Sequence, residues 1–122
     1  MILMTNLKKQ ELQSKMESEF KYSDEASQKA KQDIQDYCNT YFDDSVILAD
    51  GFELAFLGCG YSYSGSYAIY HMGNSIDILM QRDGMSFDEA EEYIEFNVLG
   101  AFVGDRMPVF MYPMKELYEY QS

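Results

Sequence analysis

A predicted helix that begins at Ser86 constrains the fold of this chain more than any other segment. Asp83 and Gly84 form a turn pair that is typical of the end of a preceding helix. Ser86, followed three residues later by Glu89, is the capping-box pattern that starts a new one. At about 100° per residue, one face of this helix faces a core. The residues on that face are Phe87, Ala90, Ile94, Asn97, Val98 and Ala101.

A stripe of carboxylates runs along the flank of the same helix. Its members, at positions i, i+3, i+4 and i+7, are Asp88, Glu91, Glu92 and Glu95. Each pair of like-charged neighbours costs about 0.2–0.5 kcal/mol of helix stability. The stripe is therefore either an ordinary solvated face or a surface that recognises a partner.

Two large apolar residues of this helix, Phe96 and Leu99, point away from the predicted core face. Either another layer of the protein or a partner must cover them. Because an N-terminal helical segment is available to lie on this side, we expect them to be buried within the chain.

Charge is distributed unevenly along the chain, whose formal net charge is −12. Such a charge argues against direct binding to nucleic acid, which requires clustered Lys and Arg. It is compatible with a partner that has a basic surface. Residues 43–122 form an acidic part, whereas six of the nine basic residues lie in residues 1–42. The lysine-bearing segment is thus a candidate cover for the carboxylate stripe.

The first 42 residues predict a helical hairpin. The stripe of a first helix, over residues 5–21, consists of Leu7, Leu12, Met16 and Phe20. A second helix, capped by Ser23 or Asp24, runs to about Phe42. The second stripe consists of Ala26, Ala30, Ile34, Tyr37, Cys38, Tyr41 and Phe42. A coiled-coil-like dimer arm is the alternative.

Three strands are predicted in the acidic part. The first two are an alternating segment at residues 52–56 and a strand at residues 66–72, antiparallel and joined by a Tyr/Ser/Gly-rich loop. The third strand runs over residues 107–111, and Asn74 is expected to cap a short helix after the second strand. Tyr61 and Tyr63 lie in the loop, where tyrosine provides contact area at low entropic cost.

The predicted fold class is therefore α+β in a single domain, residues 1–122. It comprises an N-terminal helical hairpin (1–42) and an acidic α+β core (43–122). A small, mainly antiparallel three-stranded sheet in that core is packed by two further helices.

Catalytic chemistry has little support in the sequence. Cys38 and Cys59 have no metal-ligand spacing, and we expect both to be reduced and to act as small buried hydrophobes. Cys59 and His71 are the one obvious nucleophile–base combination, but no third residue that would orient them is evident. We therefore predict no catalytic residues, no metal site and no cofactor. No apolar run is long enough to span a membrane.

The segment RDGMSFDEAEEYIEFNVLGAFVGDRMPVF (Arg82–Phe110) and its lead-in SYAIYHMGNSIDILM (Ser66–Met80) carry a resemblance. They resemble a recurrent C-terminal motif of small uncharacterised proteins encoded by bacteriophages and prophages. The resemblance implies a phage accessory protein that acts in the host cytoplasm, and it implies no site.

These observations lead to three functional hypotheses. The first is a non-enzymatic phage protein that inhibits a host protein with a basic, nucleic-acid-binding surface, such as an anti-CRISPR-like nucleic-acid mimic. Its predicted contact residues are Asp88, Glu91, Glu92, Glu95, Tyr61 and Tyr63. The second is a small enzyme or ligand-binding module that uses Cys59 and His71. The third is a virion or assembly component, and the sequence also allows a homodimer.

Overall fold

A computed structural model describes residues 22–42, 46–101 and 106–115 and shows an α+β fold. The helices in these ranges are α1 (Asp24–Tyr41), α2 (Met72–Asp83) and α3 (Phe87–Tyr93). The strands are β1 (Phe56–Ser62), β2 (Gly65–His71) and β3 (Val109–Met111). After α3 the chain continues through a π-helical turn, Ile94–Val98, and a 3₁₀ turn, Leu99–Ala101.

Helix α1 confirms the second helix of the predicted hairpin. The Ser23 hydroxyl caps it by accepting a hydrogen bond of 3.2 Å from the amide of Ala26, and Ile34 and Cys38 are buried. The first predicted helix, residues 5–21, lies outside the described residues. No helix in the described ranges is both long and apolar enough to cross a lipid bilayer.

The sheet is mixed, with strand order β1-β2-β3. β1 and β2 pair antiparallel, as predicted, but β2 and β3 pair in parallel. The prediction of a mainly antiparallel sheet is therefore wrong for the third strand. The reason is the connection: α2 and α3 lie between β2 and β3, and a crossover of this length allows the chain to re-enter the sheet in the same direction.

The hairpin between β1 and β2 is much tighter than the predicted loop. Pairing continues to Ser62 opposite Gly65, so that Tyr63 and Ser64 form the turn. The glycine-rich segment belongs to β1, and its Gly60 leaves room for the ring of Tyr67, which a Cβ atom at residue 60 would approach to 3.0 Å. The alternating segment at residues 52–56 is instead a short 3₁₀ turn that leads into β1.

Helix α2 begins directly at the end of β2. The Nδ1 atom of His71 accepts a hydrogen bond of 2.9 Å from the amide of Asn74, and so His71 caps the helix. The predicted cap at Asn74 is wrong because the imidazole supplies the acceptor that sequence rules assign to Ser, Thr, Asp or Asn. The helix ends at Gly84, whose φ of +71° is the left-handed conformation expected there.

An aromatic row crosses the core face of the sheet. Phe56, Tyr70 and Phe110 are register partners on the three strands. The ring centroids of Tyr70 lie 5.5 Å from Phe56, edge to face, and 5.2 Å from Phe110, stacked. Tyr70 is 1% exposed, and its hydroxyl accepts a hydrogen bond of 2.8 Å from the amide of Ala49. This row fixes the strands to the segment that precedes β1.

The substitution Tyr70→Phe tests the polar part of this contact. We expect it to lower the free energy of unfolding by about 1–3 kcal/mol, because the buried amide of Ala49 loses its acceptor. Urea denaturation measures the change. The matched control is Tyr67→Phe on the half-buried opposite face, for which we expect a change within about 0.5 kcal/mol. Equal effects of the two substitutions would contradict the assignment.

Alkaline pH should destabilise the fold. Burial raises the pKa of Tyr70 from 10.0 to about 12. Between these values the unfolded chain has released the proton that the folded chain still holds, so the free energy of unfolding falls as pH rises. Urea denaturation at about pH 8, about pH 10 and about pH 11.5 measures the decline. We expect Tyr70→Phe to decline less steeply, and a parallel decline would show that other groups cause the effect.

Candidate partner-binding surface

The start of helix α3 is fixed by the capping box that the sequence predicts. The Ser86 hydroxyl accepts a hydrogen bond of 3.2 Å from the amide of Glu89. The Glu89 carboxylate in turn accepts one of 3.2 Å from the amide of Ser86. Two amides that a helix end leaves without partners are thereby satisfied. The cap determines where the carboxylate stripe begins.

A single stripe of three residues attaches this helical segment to the core. Ala90, Ile94 and Val98 are buried, whereas Phe87 is half exposed. Asn97 and Ala101, also predicted on the core face, are exposed. In a regular α-helix, each step of four residues rotates a side chain by about 40°. The π-helical turn is closed by a hydrogen bond from the Leu99 amide to the Ile94 carbonyl. Because this turn contains more residues than an α-helical one, it offsets the rotation and keeps the buried residues on one side of the segment.

Three of the four predicted carboxylates, those of Asp88, Glu92 and Glu95, are exposed, and Glu91 is half-buried. Within the described ranges, none of the three exposed carboxylates forms an ion pair or a hydrogen bond with a side chain. The predicted cover was the lysine-bearing segment of residues 1–42. In its described part, helix α1, Lys31 pairs with Asp50 rather than with the stripe, and residues 1–21 lie outside these ranges. The described part of the chain therefore leaves these three charges to solvent.

Tyr112, which follows β3, borders the stripe on one side. Its hydroxyl lies near the carboxylates of Glu91 and Glu95. Burial, followed by the carboxylate of Glu91 and that of Glu95, raises the pKa of Tyr112. Sequence reasoning missed this contact because the parallel return of β3, which brings Tyr112 to α3, was not predicted. An exposed tyrosine next to a strand was the available signal.

Phe96 borders the stripe on the other side and is 69% exposed. The expectation that another layer of the chain buries it is wrong, because its π-helical turn faces the core only through Ile94 and Val98. Leu99, for which the same was expected, is half-buried and packs against the core. Phe96 follows Glu92 by four positions, a spacing at which side chains are neighbours on a helix surface.

The two predicted tyrosines lie on the hairpin rather than on the helix. Tyr61 is 74% exposed, and its ring centroid lies 5.5 Å from that of Phe42. Tyr63 is fully exposed in the turn. This turn is at the opposite end of β2 from the start of α2. The structure thus provides no contact that joins these tyrosines to the carboxylate stripe within the described residues.

The alternative catalytic pair is not brought together. Cys59 pairs with Ala68, three residues before His71, so that the two side chains emerge on opposite faces of the sheet. The Nδ1 atom of His71 is engaged as the cap of α2, and the neighbour that influences the thiol of Cys59 is Cys38. Among the described residues, no three His, Cys, Asp or Glu side chains converge in a way that could hold a metal ion.

Comparisons of this chain with known proteins provide no further assignment. No protein-family model, curated protein or solved structure matches it. The role of the surface formed by α3 and the residues after β3 is therefore inferred from its geometry.

Proposed function

We propose that this chain is a phage accessory protein that binds and inhibits a host protein through the surface formed by α3, its π-helical turn and Tyr112. We call this the acidic–aromatic surface, and its residues are Asp88, Glu91, Glu92, Glu95, Phe96 and Tyr112. The observation that carries the proposal is the exposed ring of Phe96 next to a row of carboxylates that form no ion pair in the described residues.

The two kinds of side chain contribute differently to binding. Exposed carboxylates attract a basic surface over a distance of about 10 Å at moderate salt and accelerate association. An exposed aromatic ring provides apolar area that is removed from water when it enters a pocket, and such residues dominate the affinity of many interfaces. The acidic–aromatic surface therefore fits a partner that has a basic rim around an apolar pocket.

A nucleic-acid-binding protein of the host cytoplasm is the partner class that this chemistry favours. Its groove carries the positive charge that normally neutralises phosphates, and a row of carboxylates can occupy the same charges. An anti-defence protein of the anti-CRISPR type, which mimics nucleic acid, is the specific form we propose. A second copy of the chain is a poorer occupant, because each copy carries a formal net charge of −12.

Charge reversal tests the role of the carboxylates. We expect Glu92→Lys with Glu95→Lys to weaken binding of a captured host protein by at least about tenfold, or about 1.4 kcal/mol. The matched control is Asp33→Lys with Asp36→Lys, because these acids are also exposed and three residues apart on a helix. Capture from a bacterial lysate, mass spectrometry and titration of the purified partner provide the measurement.

The same titration distinguishes nucleic-acid mimicry from other modes of binding. Mimicry requires that rising salt weaken the complex and that the nucleic acid of the partner compete with this chain. The proposal fails if both double variants bind equally well, or if the chain and the nucleic acid bind the partner together.

Truncation of the exposed ring tests the apolar part of the surface. We expect Phe96→Ala to weaken binding by about 2 kcal/mol, or roughly thirtyfold, while the salt dependence is retained. Because the ring is largely exposed, the free energy of unfolding should change by less than about 0.5 kcal/mol. The control is Tyr41→Ala, which removes a ring of the same exposure, 69%, from α1. Unchanged affinity of Phe96→Ala would show that the ring is outside the interface.

A further inference from the structure

Helix α1 packs against β1 around a pair of cysteines. The ring centroids of Tyr37 and Phe56 are 6.0 Å apart. The Tyr37 hydroxyl oxygen lies 3.6 Å from the position that a Cβ atom on Gly58 would occupy. The next residue on each element is a cysteine, and Cys38 lies close enough to Cys59 to raise the pKa of its thiol. Two residues separated by 21 positions in the sequence are thus neighbours where α1 meets β1.

The two thiols differ in their access to solvent. Cys38 is 7% exposed, whereas Cys59 is only half-buried. Cys59 lies opposite Ala68, which is fully buried, and therefore on the core face of the sheet beneath α1. A small reagent can reach Cys59 from solvent, and Cys38 is then the neighbouring thiol that can react next.

We propose that Cys38 and Cys59 are a reversible thiol–disulfide pair that links α1 to the β-hairpin when the chain meets a small-molecule disulfide. In the first step the Cys59 thiolate attacks one sulfur of oxidised glutathione, forms a mixed disulfide and releases one glutathione thiolate. In the second step the Cys38 thiolate attacks the Cys59 sulfur and releases the second. Two protein thiols are oxidised to one disulfide, and one glutathione disulfide is reduced to two thiols.

The surroundings of the pair determine how readily it reacts. Burial, together with the neighbouring Cys38, raises the pKa of Cys59 to about 12. Little thiolate is present near neutral pH, and the first step is therefore slow. The pair accordingly remains reduced in a cytoplasm that is rich in thiols and is converted only under sustained oxidation.

The link would close the segment between α1 and β1 into a loop. That segment includes Ala49, which donates its amide proton to Tyr70, and the buried Phe52. Oxidation would therefore hold in place the part of the chain that leads into the sheet. This inference is independent of the acidic–aromatic surface.

The test exposes the full native chain to oxidised glutathione and follows its intact mass. We expect a loss of about 2 Da, corresponding to one disulfide formed from two thiols. Digestion without reductant should yield a peptide that joins Cys38 to Cys59. The Cys38→Ser variant, checked for folding by circular dichroism, should instead accumulate a stable glutathione adduct at Cys59. The urea midpoint of the oxidised chain should be higher than that of the reduced chain.

Three results would overturn the inference. The first is a wild-type chain that keeps a glutathione adduct without forming the internal link. The second is a wild-type chain that forms disulfide-bonded dimers instead. The third is a wild-type chain that forms no link in its native state but does react in urea. Each of these can be read from the wild-type chain alone, so the conclusion does not require that Cys38→Ser folds.

Discussion

The buried ring of Tyr70 is the contact on which the arrangement of the described residues depends. Tyr70 on β2 packs against Phe56 on β1 and against Phe110 on β3, and so connects all three strands. Its hydroxyl holds the amide of Ala49, so that the segment before β1 is fixed to the middle of the sheet. A buried tyrosine is favourable only when its hydroxyl has a partner. The ring and the hydroxyl together thus determine where the chain enters the sheet. Helix α2 begins two residues after Tyr70, at Met72.

Local features of the sequence predicted local features of the fold. The capping box at Ser86 and the glycine at the end of α2 were predicted correctly, and Ser23 is one of the two caps predicted for α1. Each of these features involves residues within a few positions of one another. The direction of β3 was not predicted correctly, because it is set by the path of the two helices before it rather than by the residues of the strand. Gly58 and Gly60 suggested a loop because the strand role of Gly60 depends on the distant ring of Tyr67.

The candidate surface was predictable in part. The spacing of Asp88, Glu92 and Glu95 places them on one flank of any helix, and the structure shows them exposed. Whether Phe96 is covered depends on which elements lie over the π-helical turn, and periodicity contains no such information. The contact between Tyr112 and Glu91 joins residues from separate elements. Sequence alone can identify the two side chains but cannot show that they meet.

The π-helical turn has a consequence for how the chain tolerates change in length. A turn closed by a bond over five residues contains one more residue than the α-helical turn it replaces. Deletion of one residue there would restore ordinary helical winding without breaking the helix. Side chains on either side of the deletion would keep nearly their present relative orientation, whereas the same deletion in a regular α-helical turn would rotate every later side chain by about 100°. The π-helical turn is thus the point in this helix at which the loss of one residue disturbs the later side chains least.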